Sequence, residues 1–277
     1  MSLARALMSI SDEFESHRPR QALARIRELI SGIDSLPSFA FRFCLHRISR
    51  LVPNYPVPAL RRGGATAGPV LTALFDSEAL RNDEDMWEHA GQLLYRFHEA
   101  EGRYERAARV IERMLAAARE RGNERDVAIF TNNLGYEYLL AHHWPSAEYL
   151  FEQALARFER LDMRSDELNT RANILECRFS RLSSEQWQSL LPELKSINRA
   201  LVMQRDWRAR KTLGLLARYA QHRGRLRAAR GWMRRAIAAA SLKPTQLRDW
   251  DKAYLEKLEK EAGLQEPPFA QAGFSMD

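Results

Sequence analysis

The sequence predicts an all-α solenoid of antiparallel helix hairpins, about a dozen helices in number. Three observations carry that prediction. Apolar residues recur at helical spacing through most of the 277 residues. Short turn signals separate the helical stretches, and the best-formed stretch, Ala128 to Leu161, returns in looser form on both sides of itself. There Leu134, Tyr138 and Ala141 fall on one face of a first helix, while Ala147, Leu150, Phe151, Ala154 and Leu155 stripe a second. Gly135, Ala147 and Ala154 let the two helices approach, and Trp144 and Phe151 fill the space that remains. Pro145 stands where the first turn of a helix tolerates proline, just after a His142-His143 connection.

Taken in order, Ser2 to Glu15 and Pro19 to Ile33 read as a first hairpin, with Ala22, Ile26, Leu29 and Ile30 striping its second helix. Pro37 to Val52 follows as a helix; the Phe39, Phe41, Phe43 alternation also suits a strand, but a lone strand has nothing to pair with. Residues 1–52 thus form an N-terminal, degenerate repeat. Prolines and glycines crowd 53–69, which predicts a loop or hinge. A repeat array fills 70–244 and opens on a short helix, Val70 to Leu80. Trp87, Leu94 and Phe97 then mark a helix up to Glu101, and after the Gly102 turn come Ala107, Val110, Ile111, Met114 and Leu115. Arg164 to Leu182 and Ser184 to Gln204 form the next hairpin, with Ser184 as a helix cap. Its second helix can be aligned through Trp187, Leu191 and Leu194 or through Leu190, Leu194 and Ile197. Trp207 to His222 and the stripe Ala229, Met233, Ala236 make the last unit before Pro244. Residues 245–262 read as a capping helix, whose Glu256, Glu259 and Lys260 supply the polar face an array end requires. The tail, 263–277, is expected to be disordered.

Gly135, Trp144, Ala147, Phe151 and Ala154 together resemble a tetratricopeptide repeat: a small residue in the first helix, an aromatic after the turn, two small residues bracketing an aromatic in the second. The run Thr131-Asn132-Asn133-Leu134-Gly135 is similar in particular to the longer repeats of kinesin light chains and related peptide-binding solenoids. The resemblance implies a right-handed superhelix with asparagines on its inner helices holding the backbone of a bound peptide. Ala107 and Ala147 lie 40 residues apart, against about 34 in the commonest unit. Asn173 follows Asn133 at the same interval. Bulky Tyr95 departs from the pattern, standing near an expected small residue.

Composition bounds the function. Cys44 and Cys177 are far apart and lack metal-type spacing, so neither a disulfide framework nor a zinc site is indicated, and a reducing cytoplasm is the expected compartment. No apolar run approaches the roughly 20 residues that span a bilayer. The net charge of +7 is uneven. Residues 200–243 hold 12 basic residues against Asp206 alone, net +11, whereas 76–126 hold 13 acidic and 9 basic residues, net −4.

No set of catalytic residues converges in the sequence. His98-Glu99 lacks the second histidine of a zinc-protease helix, His142-His143 are neighbours that cannot converge on one metal, and Gly63 to Gly68 runs into Pro69-Val70 where a phosphate loop needs Lys and Ser or Thr. The chain is therefore expected to be a non-enzymatic adaptor without cofactor or metal. Asparagine suits a helix interior badly because its amide competes for backbone hydrogen bonds, so Asn132 and Asn133 in succession point to a task. Their amides can both donate to and accept from a peptide backbone. The predicted partner contacts are Asn132, Asn133, Tyr136 and Asn173, with Arg218 and Arg225 pairing to acidic groups of the bound protein or peptide. The alternative is nucleic acid, held by the Arg-rich 200–243 segment with Trp207, Tyr219 and Trp232 interleaved.

Overall fold

The computed structural model describes residues 3–15, 19–30, 38–49, 67–241 and 249–261. Among them are fourteen helices and no strand. They are α1 (Leu3–Glu15), α2 (Pro19–Ile30), α3 (Ser38–Ser49), α4 (Ala67–Asp76), the short α5 (Glu78–Arg81), α6 (Glu84–Ala100), α7 (Tyr104–Glu120), α8 (Glu124–Leu140), α9 (Trp144–Arg160), α10 (Arg164–Arg181), α11 (Trp187–Met203), α12 (Ala209–His222), α13 (Leu226–Ser241) and α14 (Asp249–Glu261). No described helix is long and apolar enough to cross a membrane. The chain divides into two compact units, Met1–Arg157 and Phe158–Asp277.

The helix turns recur by one device. Gly102, Gly122, His142 and Asp162, each twenty residues after the last, adopt φ between +53° and +70°. The following residue then donates its N–H to a carbonyl five positions back: Arg103 to His98, Asn123 to Ala118, His143 to Tyr138 and Met163 to Phe158, at 2.8–3.0 Å. This is the left-handed helix ending that satisfies orphaned carbonyls. It leaves α6, α7, α8 and α9 at 17 residues each. Asp83 caps α6 by accepting from the Met86 N–H at 3.3 Å, and Asn123 caps α8 by accepting from the Asp126 N–H at 3.2 Å.

In the first unit α4, α6, α7 and α8 build one continuous core around Leu74, Phe75, Leu94, Ile111, Met114 and Phe130. Phe75 is its node. Trp87 stacks on it at 4.7 Å and donates its indole N–H to the Phe75 carbonyl at 3.0 Å, while the Arg113 guanidinium lies 4.2 Å from the ring centre. Gly91 is forced by that ring: a Cβ there would lie 2.8 Å from Phe75 Cε2 and 2.7 Å from Met114 Sδ. Gly135 serves α8 and α9 in the same way, since a Cβ would lie 2.9 Å from the Phe151 ring and 3.3 Å from the Ala147 carbonyl oxygen. The expected close approach of these helices is therefore present. The starts of α6, α8 and α10 keep the 40-residue interval, which places Tyr95 in register with Gly135. Tyr95 is accommodated in the core, 8% exposed. Forty residues before Phe151 stands the smaller Ile111, which is also buried.

The second unit packs α10 to α14 around Leu175, Phe179, Leu194, Leu201, Leu216, Met233 and Leu258. Burial of Leu190, Leu194, Ile197 and Leu201 selects the second of the two registers open for α11. Its start is corrected as well: Gln186, not Ser184, precedes the first helical residue, and the Ser184 hydroxyl faces Glu185 at 3.4 Å. The predicted loop also ends earlier than expected. α4 begins at Ala67 and takes in Gly68 and Pro69, because proline needs no N–H partner in a first turn and a side chain at 68 would meet the Phe97 ring at 2.6 Å. The predicted loop at 53–66 and the tail at 263–277 lie outside the described residues, and the capping helix is described over Asp249–Glu261.

Two outcomes test this scheme by chemical denaturation. Gly122→Ala places a side chain on a left-handed residue and costs about 1 kcal/mol, whereas His142→Gly at the equivalent turn costs nothing or gains up to about 0.5 kcal/mol. Gly135→Ala drives a methyl group into Phe151 and costs about 1–3 kcal/mol.

Candidate functional site

In the first unit α8 carries three of the expected contacts. Asn132, Asn133 and Tyr136 are all half-buried. Asn133 makes no hydrogen bond among the described residues, and its amide is open to solvent. One helical turn further on lies Glu137, which the sequence reading passed over. It is 2% exposed and its Oε2 has no hydrogen-bond partner among the described residues. Burial, and then the charge of Glu99 on α6, push its pKa up to about 9. At neutral pH Glu137 is therefore an uncharged acid, able to donate as well as accept. The signal missed was its place in the sequence, between Tyr136 and Tyr138 on a helix whose neighbouring turns are apolar.

A cleft of about 460 Å³ opens between α8 and α9, lined by Leu134, Tyr138, Pro145, Ser146, Tyr149 and Leu150, and none of the predicted contacts lines it. Elsewhere in this unit Glu84, Glu88 and Asp126 bring carboxylate oxygens within 4.8 Å of one another. The Arg121 guanidinium occupies that arrangement, 2.9 Å from Glu84 and bonded to Glu88, and the Asn123 amide donates to Asp126 at 2.6 Å. These acids form an ion-pair network around an arginine. The thiols of Cys44 and Cys177 are free and buried, and burial pushes Cys44 up to about 12, far from a reactive thiolate.

In the second unit the remaining contacts part company. Asn173 is 1% exposed, and its side-chain carbonyl accepts from Lys211 Nζ, which also pairs with Glu176 at 3.0 Å. This corrects the expectation for Asn173: it belongs to a polar seam joining α10 to α12, where Arg208 also donates to the Ser165 carbonyl at 2.7 Å and pairs with Asp166 at 3.4 Å. The basic segment divides in the same manner. Arg208, Lys211, Arg230 and Arg234 are ion-paired inside the unit, the last two with Glu259 of α14. Arg205, Arg223, Arg225 and Arg227 are exposed and form no ion pair among the described residues. The last three sit in and just after the turn around Gly224, φ +69°.

Arg218 lines a second cleft, of about 510 Å³, with Trp187, Gly214, Gln221, His222 and Tyr254. Its guanidinium lies 5.7 Å from the centre of the Trp187 ring, which His222 meets edge-on at 5.6 Å. Trp187 is held from behind, donating its N–H to the Phe179 carbonyl at 2.9 Å, and Tyr254 donates to Gln221 Oε1 at 2.6 Å. The lining comes from α11, α12 and α14, so of its six residues the sequence singled out only Arg218 as a contact.

No protein-family model matches this chain, and no curated protein does. Among solved structures it is similar to the crystal structure of BtubC (BKLC) from P. vanneervenii, with 17% identity, covering 100% of this chain and 99% of that one, at a TM-score of 0.45.

The buried acid makes stability depend on pH. An unperturbed glutamate releases its proton near 4.5, whereas folded Glu137 keeps it to about 9, so the folded state binds the proton more tightly. Stability linked to this group is complete below pH 4.5 and is lost progressively as pH rises from 4.5 to about 9. Glu137→Gln removes that dependence. Thermal unfolding should show little difference from wild type at pH 5 and a midpoint higher by about 4 °C or more at pH 8.

Proposed function

We propose that this chain is a non-catalytic adaptor or regulator of the tetratricopeptide-repeat kind, which binds a peptide or protein segment along the first helices of its hairpins. The observation that carries the reading is Asn133, a half-buried mid-helix amide without a hydrogen bond among the described residues, beside Asn132 and Tyr136 on α8. An amide in that state supplies one donor and one acceptor for an extended backbone and is tolerant of the partner's sequence. Arg218 and Arg225 are the groups on the second unit for acidic side chains of a bound protein. Asn173 acts in this reading as scaffold, holding Lys211 in place.

The exposed arginines at 205, 223, 225 and 227 favour a second reading, a nucleic acid or nucleoprotein partner bound electrostatically. Affinity capture from host lysate at low and high salt, with and without nuclease, separates the two. For the adaptor, a discrete protein survives nuclease and is lost with Asn133→Ala. For the alternative, the captured material is nucleic acid, released by salt and by reversing Arg223, Arg225 and Arg227 to Glu, and indifferent to Asn133. That second outcome overturns the adaptor reading.

A further inference from the structure

Gly214, Arg218, Gln221 and His222 follow one another along α12 at steps of four, three and one, so they share a face of that helix. That face forms one side of the cleft of about 510 Å³, against Trp187 of α11 and Tyr254 of α14. Glycine is a poor residue for a helix interior. Gly91 and Gly135 are each required by a ring pressed against them, but a Cβ at Gly214 would meet nothing within 4 Å, so no neighbour in the fold demands it. Its effect is to leave bare backbone open to the cleft, where a flat group can lie directly on the helix. Arg218 sits over the Trp187 ring and forms no ion pair among the described residues, none of whose acidic side chains lines the cleft. Glu185, the acid nearest Trp187 in the sequence, is exposed and faces the Ser184 hydroxyl at 3.4 Å. Immediately beyond His222 come Arg223, Arg225 and Arg227, exposed and likewise without an ion pair among the described residues. Trp187 itself opens α11, whose N-terminus carries no side-chain cap, and such an end favours anions.

We propose that this cleft binds a nucleoside phosphate, its base lying over Gly214 against Tyr254 and the Arg218–Trp187 pair, its phosphates directed to Arg223 and Arg225. A guanidinium lying on an indole offers a flat, cationic wall, and both guanidinium planes and aromatic rings stack on nucleobases. Two groups fix that wall from outside the cleft: the Phe179 carbonyl accepts the Trp187 N–H at 2.9 Å, and Gln221 accepts from Tyr254 at 2.6 Å. The charge calls for more than a carboxylate. A single carboxylate is matched by Arg218 alone, whereas three further guanidinium groups in and just after the next turn suit the spread charge of a di- or triphosphate. The volume falls within the roughly 300–1,000 Å³ of small-molecule sites. Occupancy takes Arg218 away from the acidic side chains assigned to it above, so ligand and acidic partner compete for the second unit. That competition rests on the adaptor reading; the binding of the nucleotide does not.

Calorimetric titration of the full-length chain with ADP in metal-free buffer tests the assignment, with adenosine and inorganic pyrophosphate as the two halves of the ligand. ADP should bind more tightly than either half by about tenfold or more. Gly214→Met fills the floor of the cleft without meeting a neighbour at its Cβ, and Arg218→Gln removes the charge beside Trp187. Each should weaken ADP by about tenfold, with circular dichroism confirming that the helices persist. Arg223→Gln with Arg225→Gln should weaken ADP and pyrophosphate together and leave adenosine unaltered. Failure of ADP to bind, or binding no tighter than that of pyrophosphate and indifferent to Gly214→Met and Arg218→Gln, overturns the proposal. So does binding of an oligothymidylate strand without binding of ADP, which assigns the basic turn to single-stranded nucleic acid instead. No second protein is present in the titration, and Asn133 belongs to the other unit. Asn133→Ala should therefore bind ADP as wild type does, whether or not the adaptor reading stands.

Discussion

The helix reversal at every twentieth residue is the constraint on which the rest depends. Between positions 102 and 162 the chain stops each helix with one left-handed residue and restarts it two residues later. Because the intervening helices are equally long, corresponding positions return at 40 residues in the sequence. Two of the four positions are glycine, which takes the left-handed conformation without cost. His142 and Asp162 take it with their side chains in solvent, where nothing in the packing opposes the geometry. Beyond α10 the regular interval is lost, and the second unit is held in part by polar contacts.

Four of the twelve basic residues between 200 and 243 are held by acidic groups of the same unit. Arg208 and Lys211 are drawn onto α10 by Asp166, Asn173 and Glu176, and Arg230 and Arg234 share Glu259 of α14. Each pair ties one part of the second unit to another, so the charges that look like a binding face in the sequence serve partly as cross-links. Exposed and without an ion pair among the described residues are Arg205, Arg235 and the arginines around Gly224. In the first unit the balance is reversed. There an acid is buried without a cation, and Glu137 stays neutral because burial beside Glu99 disfavours its charge.

The sequence by itself determined the helices, most of their ends and the faces they bury. These are local properties: apolar spacing, a glycine after the last turn, a small residue facing a large one, as with Gly135 and Phe151, are all written within one hairpin. It also singled out Asn133 as a candidate, because an amide in mid-helix contradicts local preference wherever the helix is placed. Tertiary structure alone decided the rest. Asn132–Asn133 and Asn173 look alike in sequence, yet Asn173 was claimed by Lys211, thirty-eight residues away. Glu137 reads as an ordinary surface acid until its surroundings withdraw it from water. The cleft over Gly214 exists only where Trp187, Arg218 and Tyr254 arrive from three helices. A side chain's surroundings come from residues distant in the chain, so burial, ionisation and the joining of groups into one site follow from packing, which periodicity does not encode.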